Sequence, residues 1–166
     1  MREVRLAKLT LNMGAGDSAA RLEASKKAMK TIAGKTIVVT STRKRTTFGT
    51  PRNKAIGVMV TLRGTEAAAM LKRLLEAIEG KLKPTQFDRT GNFSFGIQEY
   101  IHIPGIQYDA EIGILGLDVA VTLERPGYRV KRKRIRTGRV GAHHQITKDE
   151  AIAWARQFGF RVEEES

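Results

Sequence analysis

Seven cations stand within the eleven residues from Arg129 to Arg139: Arg129, Lys131, Arg132, Lys133, Arg134, Arg136 and Arg139. Charges at that density repel one another unless a polyanion neutralises them. A second run holds Arg43, Lys44 and Arg45, with Arg52 and Lys54 beyond it, interleaved with Thr40, Ser41, Thr42, Thr46, Thr47 and Phe48. Cations in such a run bind phosphate, hydroxyls donate to phosphate and ribose oxygens, and a lone aromatic can stack or wedge. The alternative for both runs is a solvated charged loop. The whole chain weighs against it: 30 Lys and Arg oppose 17 Asp and Glu in 166 residues, a net charge of +13. An excess this large usually serves a polyanion, because each neutralised phosphate releases counterions. An anionic membrane fits poorly as a partner, since there is no long basic amphipathic stretch.

Other chemistries find little support. In "LNMGAG" (11–16) a strand-like run breaks on Gly14 and Gly16, which suggests a phosphate cradle. The third glycine of the dinucleotide fingerprint is replaced by Ala19, and no acidic ribose partner follows a second strand. "AGKT" (33–36) imitates the end of a P-loop, but Met29 stands where the first glycine belongs and the segment closes a helix instead of opening one. His102 is alone, and His143 and His144 are adjacent with no acidic pair to complete a metal set. The pair is read as stacking on RNA, touching phosphate or sitting in solvent. Cysteine is absent, which removes thiolate sites and fits a reducing interior. No leader is evident and no apolar run nears the roughly 20 residues of a membrane span. The expectation is no catalysis, no cofactor and no metal.

The elements that must carry these residues follow from periodicity. Residues 4–13 alternate as a strand. Asp17 or Ser18 can cap a helix with Leu22, Met29 and Ile32 on its apolar side, stopped at Gly34. "TIVVT" (36–40) is a short strand, and 41–54 is a basic loop. Ile56, Val58, Val60 and Leu62 alternate along the next strand, which puts Thr61 and Arg63 on its other face. Thr65 is expected to cap a helix buried through Leu71, Leu74, Leu75 and Ile78, ended by Gly80. A linker leads to strands at 93–103 and 117–123. The basic segment 128–146 is expected to order only with a partner. Thr147 and Glu150 form a capping box ahead of a last helix closed by Gly159. Strands and helices mix without β-α-β alternation, which predicts one α+β domain over 1–166: a mostly antiparallel sheet, helices on one face, the open face and loops toward RNA.

If the first strand and "VMVTLRG" share a sheet, Asn12, Thr61 and Arg63 lie on its open face, and Lys8 joins them. Asn and Thr offer hydrogen bonds to ribose and base edges, and Arg covers phosphate. The alternative is that Asn12 only ends the strand and shapes the turn.

"LTLNMGAG", "VTLRG", "GNFSFGIQEYIHIPGIQYDAEIGILGLDVAVTLERPGYRVKRKR" and "RTGRVGAHHQITKDEAIAW" closely resemble one family over nearly the whole chain. It is the large-subunit ribosomal protein numbered five, in its archaeal or eukaryotic form. The resemblance implies binding of 5S rRNA and large-subunit rRNA in the central protuberance, beside neighbouring 5S-associated ribosomal proteins. It also implies contact with P-site tRNA and with a small-subunit head protein at an intersubunit bridge. Asn12 matches the family's RNA-contacting Asn, Thr61 its Thr, and Phe48 the aromatic of the tRNA-facing loop. Joined with the basic runs and the sheet-face residues read above, the expected rRNA-binding set is Lys8, Asn12, Thr40, Thr42, Arg43, Lys44, Arg45, Thr61, Arg63, Arg129, Lys131, Arg132, Lys133, Arg134 and Arg136. The implied tRNA contacts are Thr47, Phe48, Arg52, Asn53 and Lys54. The chain departs from the family at "GKT", where a Gly-Gln-Lys-Pro stretch is usual, and at "PRNKAIG", where Pro-Ile-Gly is.

Overall fold

A computed structural model describes residues 1–45, 47 and 49–163. In chain order the elements are β1 (Arg5–Gly14), α1 (Ala19–Ala33), β2 (Val38–Ser41), β3 (Ala55–Leu62), α2 (Gly64–Ala77), β4 (Lys81–Leu82), β5 (Phe93–Ile97), β6 (Leu117–Glu124), α3 (Lys148–Phe158) and β7 (Arg161–Val162). A mostly antiparallel five-stranded sheet has the order β2-β3-β1-β6-β5, and β4 pairs in parallel with β7. The fold is α+β, as expected.

Each long strand obeys a two-residue period. Leu9, Leu11 and Met13 of β1 are buried while Lys8, Thr10 and Asn12, which alternate with them, are half-buried. β3 buries Val58, Val60 and Leu62 and leaves Met59 and Thr61 half-buried, and β6 buries Leu117, Val119, Val121 and Leu123. Such alternation belongs to a sheet with one face on the core and the other turned outward.

The backbone groups into two compact units. One comprises Thr10–Leu62 and Gly96–Val119; the other comprises Met1–Leu9, Arg63–Phe95 and the residues from Ala120 on. In the first, Ser18 caps α1 by accepting from the Arg21 amide at 3.4 Å, and Gly34 ends the helix in the left-handed region at φ 61°. Ser25, Ala28, Met29 and Ile32 form its buried stripe. In the second, the glycine-spaced aromatics have a plain role. Phe93 packs against Phe87 (5.0 Å), Phe160 (5.8 Å) and Trp154 (6.4 Å), and Phe158 stacks on Trp154 at 5.1 Å. Thr147 and Glu150 make the expected capping box of α3.

Several expectations need correction. Helix α2 is not capped by Thr65 and begins before it: Arg63 takes the N-cap conformation without a side-chain cap, and Ala67, Met70, Leu71 and Leu74 are the buried stripe. The strand expected over 93–103 stops at Ile97, and Tyr100–His102 form a 3₁₀ turn closed by the Ile103 amide donating to the Tyr100 carbonyl at 3.2 Å, while the Tyr100 amide donates to the Leu115 carbonyl at 3.1 Å. The linker after α2 carries β4 and a 3₁₀ turn at Pro84–Gln86.

Candidate nucleic-acid interface

In the unit built on Thr10–Leu62, Asn12 and Thr61 lie on the outward faces of neighbouring strands β1 and β3. Thr40 of β2 stands opposite Gly57 of β3. A Cβ on Gly57 would lie 2.7 Å from the Met13 carbonyl and 3.0 Å from Thr40 Oγ1, so a side chain there would push against both neighbours. Glycine lets β1, β3 and β2 close up beside Thr40.

The 41–54 loop leaves this sheet through a tight neck. Thr42 is buried and donates its hydroxyl to the Pro51 carbonyl at 2.6 Å; its Oγ1 accepts from the Lys54 amide at 3.1 Å. The Asn53 amide donates to Thr42 O at 2.9 Å with Asn53 at φ 63°, and Lys54 Nζ pairs with Asp17. Thr42, Asn53 and Lys54 thus build the neck. Arg43, Lys44, Arg45, Thr47 and Arg52 are exposed beyond it. Phe48, with Thr46, lies outside the described residues.

The other unit assembles Lys8, Arg63, Lys131 and Arg132 around one cavity of about 210 Å³, with Ala7, Thr122, Leu123, Glu124 and Tyr128 completing its wall. One carboxylate faces four cations there, and it is paired: Arg132 donates to Glu124 at 2.7 Å. Asn12 and Thr61 belong to one unit, and Lys8 and Arg63 to the other.

The basic segment, expected to order only with a partner, is tied down at both ends. Tyr128 is buried; its hydroxyl donates to the His144 carbonyl (3.2 Å) and accepts from the Ile146 amide (3.1 Å). Arg125, only 6% exposed, donates to Glu150 at 2.5 Å and to the Gln145 carbonyl at 3.3 Å. Gly138 folds back to donate to the Val130 carbonyl at 3.1 Å. Arg129, Lys133, Arg134, Arg136 and Arg139 are exposed between these anchors, and Lys131 sits 4.6 Å above the Tyr128 ring. His144 has a structural role: its Nε2 lies 2.9 Å from the Pro126 carbonyl and its ring meets Tyr128 edge-on. His143 is exposed.

Two anchors escaped the sequence reading. The Arg125–Glu150 pair spans 25 positions and leaves no local signal. "DRTGN" does leave one, as an Asx turn: Asp88 accepts from Thr90 Oγ1 (2.7 Å) and Asn92 Nδ2 (3.1 Å). Partial burial works to raise the Asp88 pKa, and these hydrogen bonds outweigh it, so the carboxyl titrates below its ordinary value. Glu150 is also lowered, first by the Thr147 amide and then, against some desolvation, by Arg125. "AGKT" closes α1, as expected, and gives no phosphate cradle. Among the described residues no cluster of His, Cys, Asp and Glu could hold a metal ion, and no helix is long and apolar enough to cross a membrane.

Residues 1–47 match the family model of ribosomal protein L5, and residues 55–154 match the model of that ribosomal family's C-terminus. The large ribosomal subunit protein uL5 of Cenarchaeum symbiosum is 45% identical over 98% of this chain and 97% of its own length. The protein of the same name from Nanoarchaeum equitans is 45% identical over 95% and 94%. That of Aeropyrum pernix is 41% identical over 95% and 83%. The chain belongs to the ribosomal L5 family, a family of structural, non-enzymatic ribosomal components.

Proposed function

We propose that this member of the ribosomal L5 family is a structural constituent of the large subunit, in the cytoplasm. There it binds 5S rRNA and large-subunit rRNA within the central protuberance. Its 41–54 loop reaches P-site tRNA. Neighbouring 5S-associated proteins and a small-subunit head protein at an intersubunit bridge complete its protein partners.

The observation that carries this reading is the convergence of Lys8, Arg63, Lys131 and Arg132, from distant parts of the sequence, on one cavity with a single, already paired carboxylate. Like charges gather at such cost where an anion is to be held. The outward Asn12 and Thr61 supply neutral hydrogen-bonding groups suited to ribose and base edges. Arg43, Lys44 and Arg45, with Thr40 at the sheet edge, suit rRNA phosphates. The tRNA contact is assigned to Thr47, Phe48, Arg52, Asn53 and Lys54 of the same loop.

Titration of 5S rRNA in the presence of excess tRNA tests the reading. The wild type should form a 1:1 complex, with a slope of log K on log salt of roughly −0.7 to −0.9 per neutralised phosphate. Asn12→Ala should weaken binding by about 1–2 kcal/mol, the cost of a lost hydrogen bond in a dry contact. An unchanged dissociation constant would remove Asn12 from the interface.

A further inference from the structure

A second cavity lies on the other side of Lys131, within the same unit. It measures about 320 Å³ and is lined by Thr90, Asn92, Leu123, Tyr128, Lys131, Gly138, Arg139, Val140 and Gln145. Three of these residues, Leu123, Tyr128 and Lys131, also line the basic cavity that holds Lys8 and Arg63. The two cavities therefore share a wall and differ in chemistry. The smaller gathers four cations around one paired carboxylate. The larger has an apolar base of Leu123, Tyr128 and Val140, amides at Asn92 and Gln145, cations at Lys131 and Arg139, and no carboxylate in its lining.

We infer that the pair is a bipartite site for one nucleotide of a bound RNA: the phosphate enters the basic cavity and the extruded base enters the larger one. The size fits, being at the lower end of the roughly 300–1,000 Å³ of ligand pockets, which are mostly apolar with a few placed polar groups. The polarity fits a base. Asn92 commits its Nδ2 to Asp88 and Thr90, at 3.1 and 2.9 Å, which fixes its amide and turns its Oδ1 into the available acceptor. Arg139 offers a planar cation to a base face and N–H donors to a base edge. Lys131, held over the Tyr128 ring between the two cavities, is placed to serve both the phosphate and the base. A base that leaves its stack is recognised in this way, through burial, stacking and its exposed edge. The inference deepens the RNA-binding reading and rests on it, but it does not require the RNA to be 5S rRNA.

The test is photocross-linking of the full chain to 5S rRNA and, separately, to large-subunit rRNA, each transcribed with 4-thiouridine or, in parallel, 6-thioguanosine. The wild type should cross-link one nucleotide to the peptide containing Val140. Val140→Trp fills the larger cavity from a half-exposed position. It should abolish that cross-link and weaken the same RNA about tenfold, the scale of one stacked base. It should leave the salt slope unchanged. Arg139→Ala, at an exposed position, gives the same loss of cross-link with no risk to folding. Free uridine and guanosine monophosphate should compete only in large excess, which separates an RNA-borne nucleotide from a free one. A wild type that ignores 5S rRNA but retains the cross-link to large-subunit rRNA removes the 5S assignment and supports this site. Variants that keep full affinity and the wild-type cross-link on both RNAs overturn it.

Discussion

The two cationic segments of this chain are built differently. The 41–54 loop is gathered at a neck by Thr42, Asn53 and Lys54, and its cations extend beyond. The 128–146 segment lies along its unit, with Tyr128 buried at one end and Ile146 at the other. Charge in the first is separable from the core. Charge in the second is carried by exposed residues on a segment whose ends are anchored in the core. The same chemistry, Lys and Arg among hydroxyls, can thus be presented as an extension or as a wired surface. The difference decides what mutation does: stability and RNA affinity should part company in the loop and move together at the segment's buried anchors.

Tyr128→Ala should break that comparison most visibly. It removes a buried ring and two hydrogen bonds, at a cost of about 3–5 kcal/mol, read as a fall in the urea midpoint together with RNA affinity. Next comes Gly91→Ala. Gly91 stands at φ 79°, and a Cβ there would lie 2.4 Å from the Ile146 side chain, so about 2 kcal/mol or more should be lost. Glu150→Gln should cost about 1–2 kcal/mol, since Arg125 is buried while its partner is partly exposed. Reversing Arg43, Lys44 and Arg45 to Glu should leave the stability read from the urea midpoint within about 0.5 kcal/mol of wild type and lower rRNA affinity. A large fall in midpoint would show that the loop's charge is not separable from its unit.

The acid limb of stability sharpens the same contrast. Asp88 and Glu150 both titrate below their ordinary values of 3.8 and 4.5 when folded. The unfolded chain therefore binds more protons than the native one at mildly acid pH. Their contribution is fully present above those ordinary values and is lost as pH falls through the lower, folded ones. The urea midpoint should decline below about pH 4.5. Glu150→Gln should flatten part of that decline, whereas the triple reversal in the loop should add acids without such partners and leave it in place.

What the sequence displays follows from how local each interaction is. Ser18 and Thr147 cap helices through contacts three residues away, and β1 and β3 alternate along their own length, so these elements are readable directly. Strands β4 and β7 are two residues each and exist only by pairing Lys81–Leu82 with the distant Arg161–Val162, which no periodicity reveals. The interface divides in the same way. Composition exposes the charge, and alternation exposes Asn12 and Thr61. That Lys8, Arg63 and Arg132 meet at one cavity is a tertiary fact. So are the contacts of Thr42, Asn53 and Lys54 at the loop's neck and of His144 with Pro126.

The most direct measurement is equilibrium binding of the full chain to 5S rRNA against excess tRNA at two salt concentrations. A 1:1 complex that survives both the competitor and the higher salt is the expected result. Loss of binding to competitor and salt alike would contradict the account, because it would reduce the converging cations to generic charge.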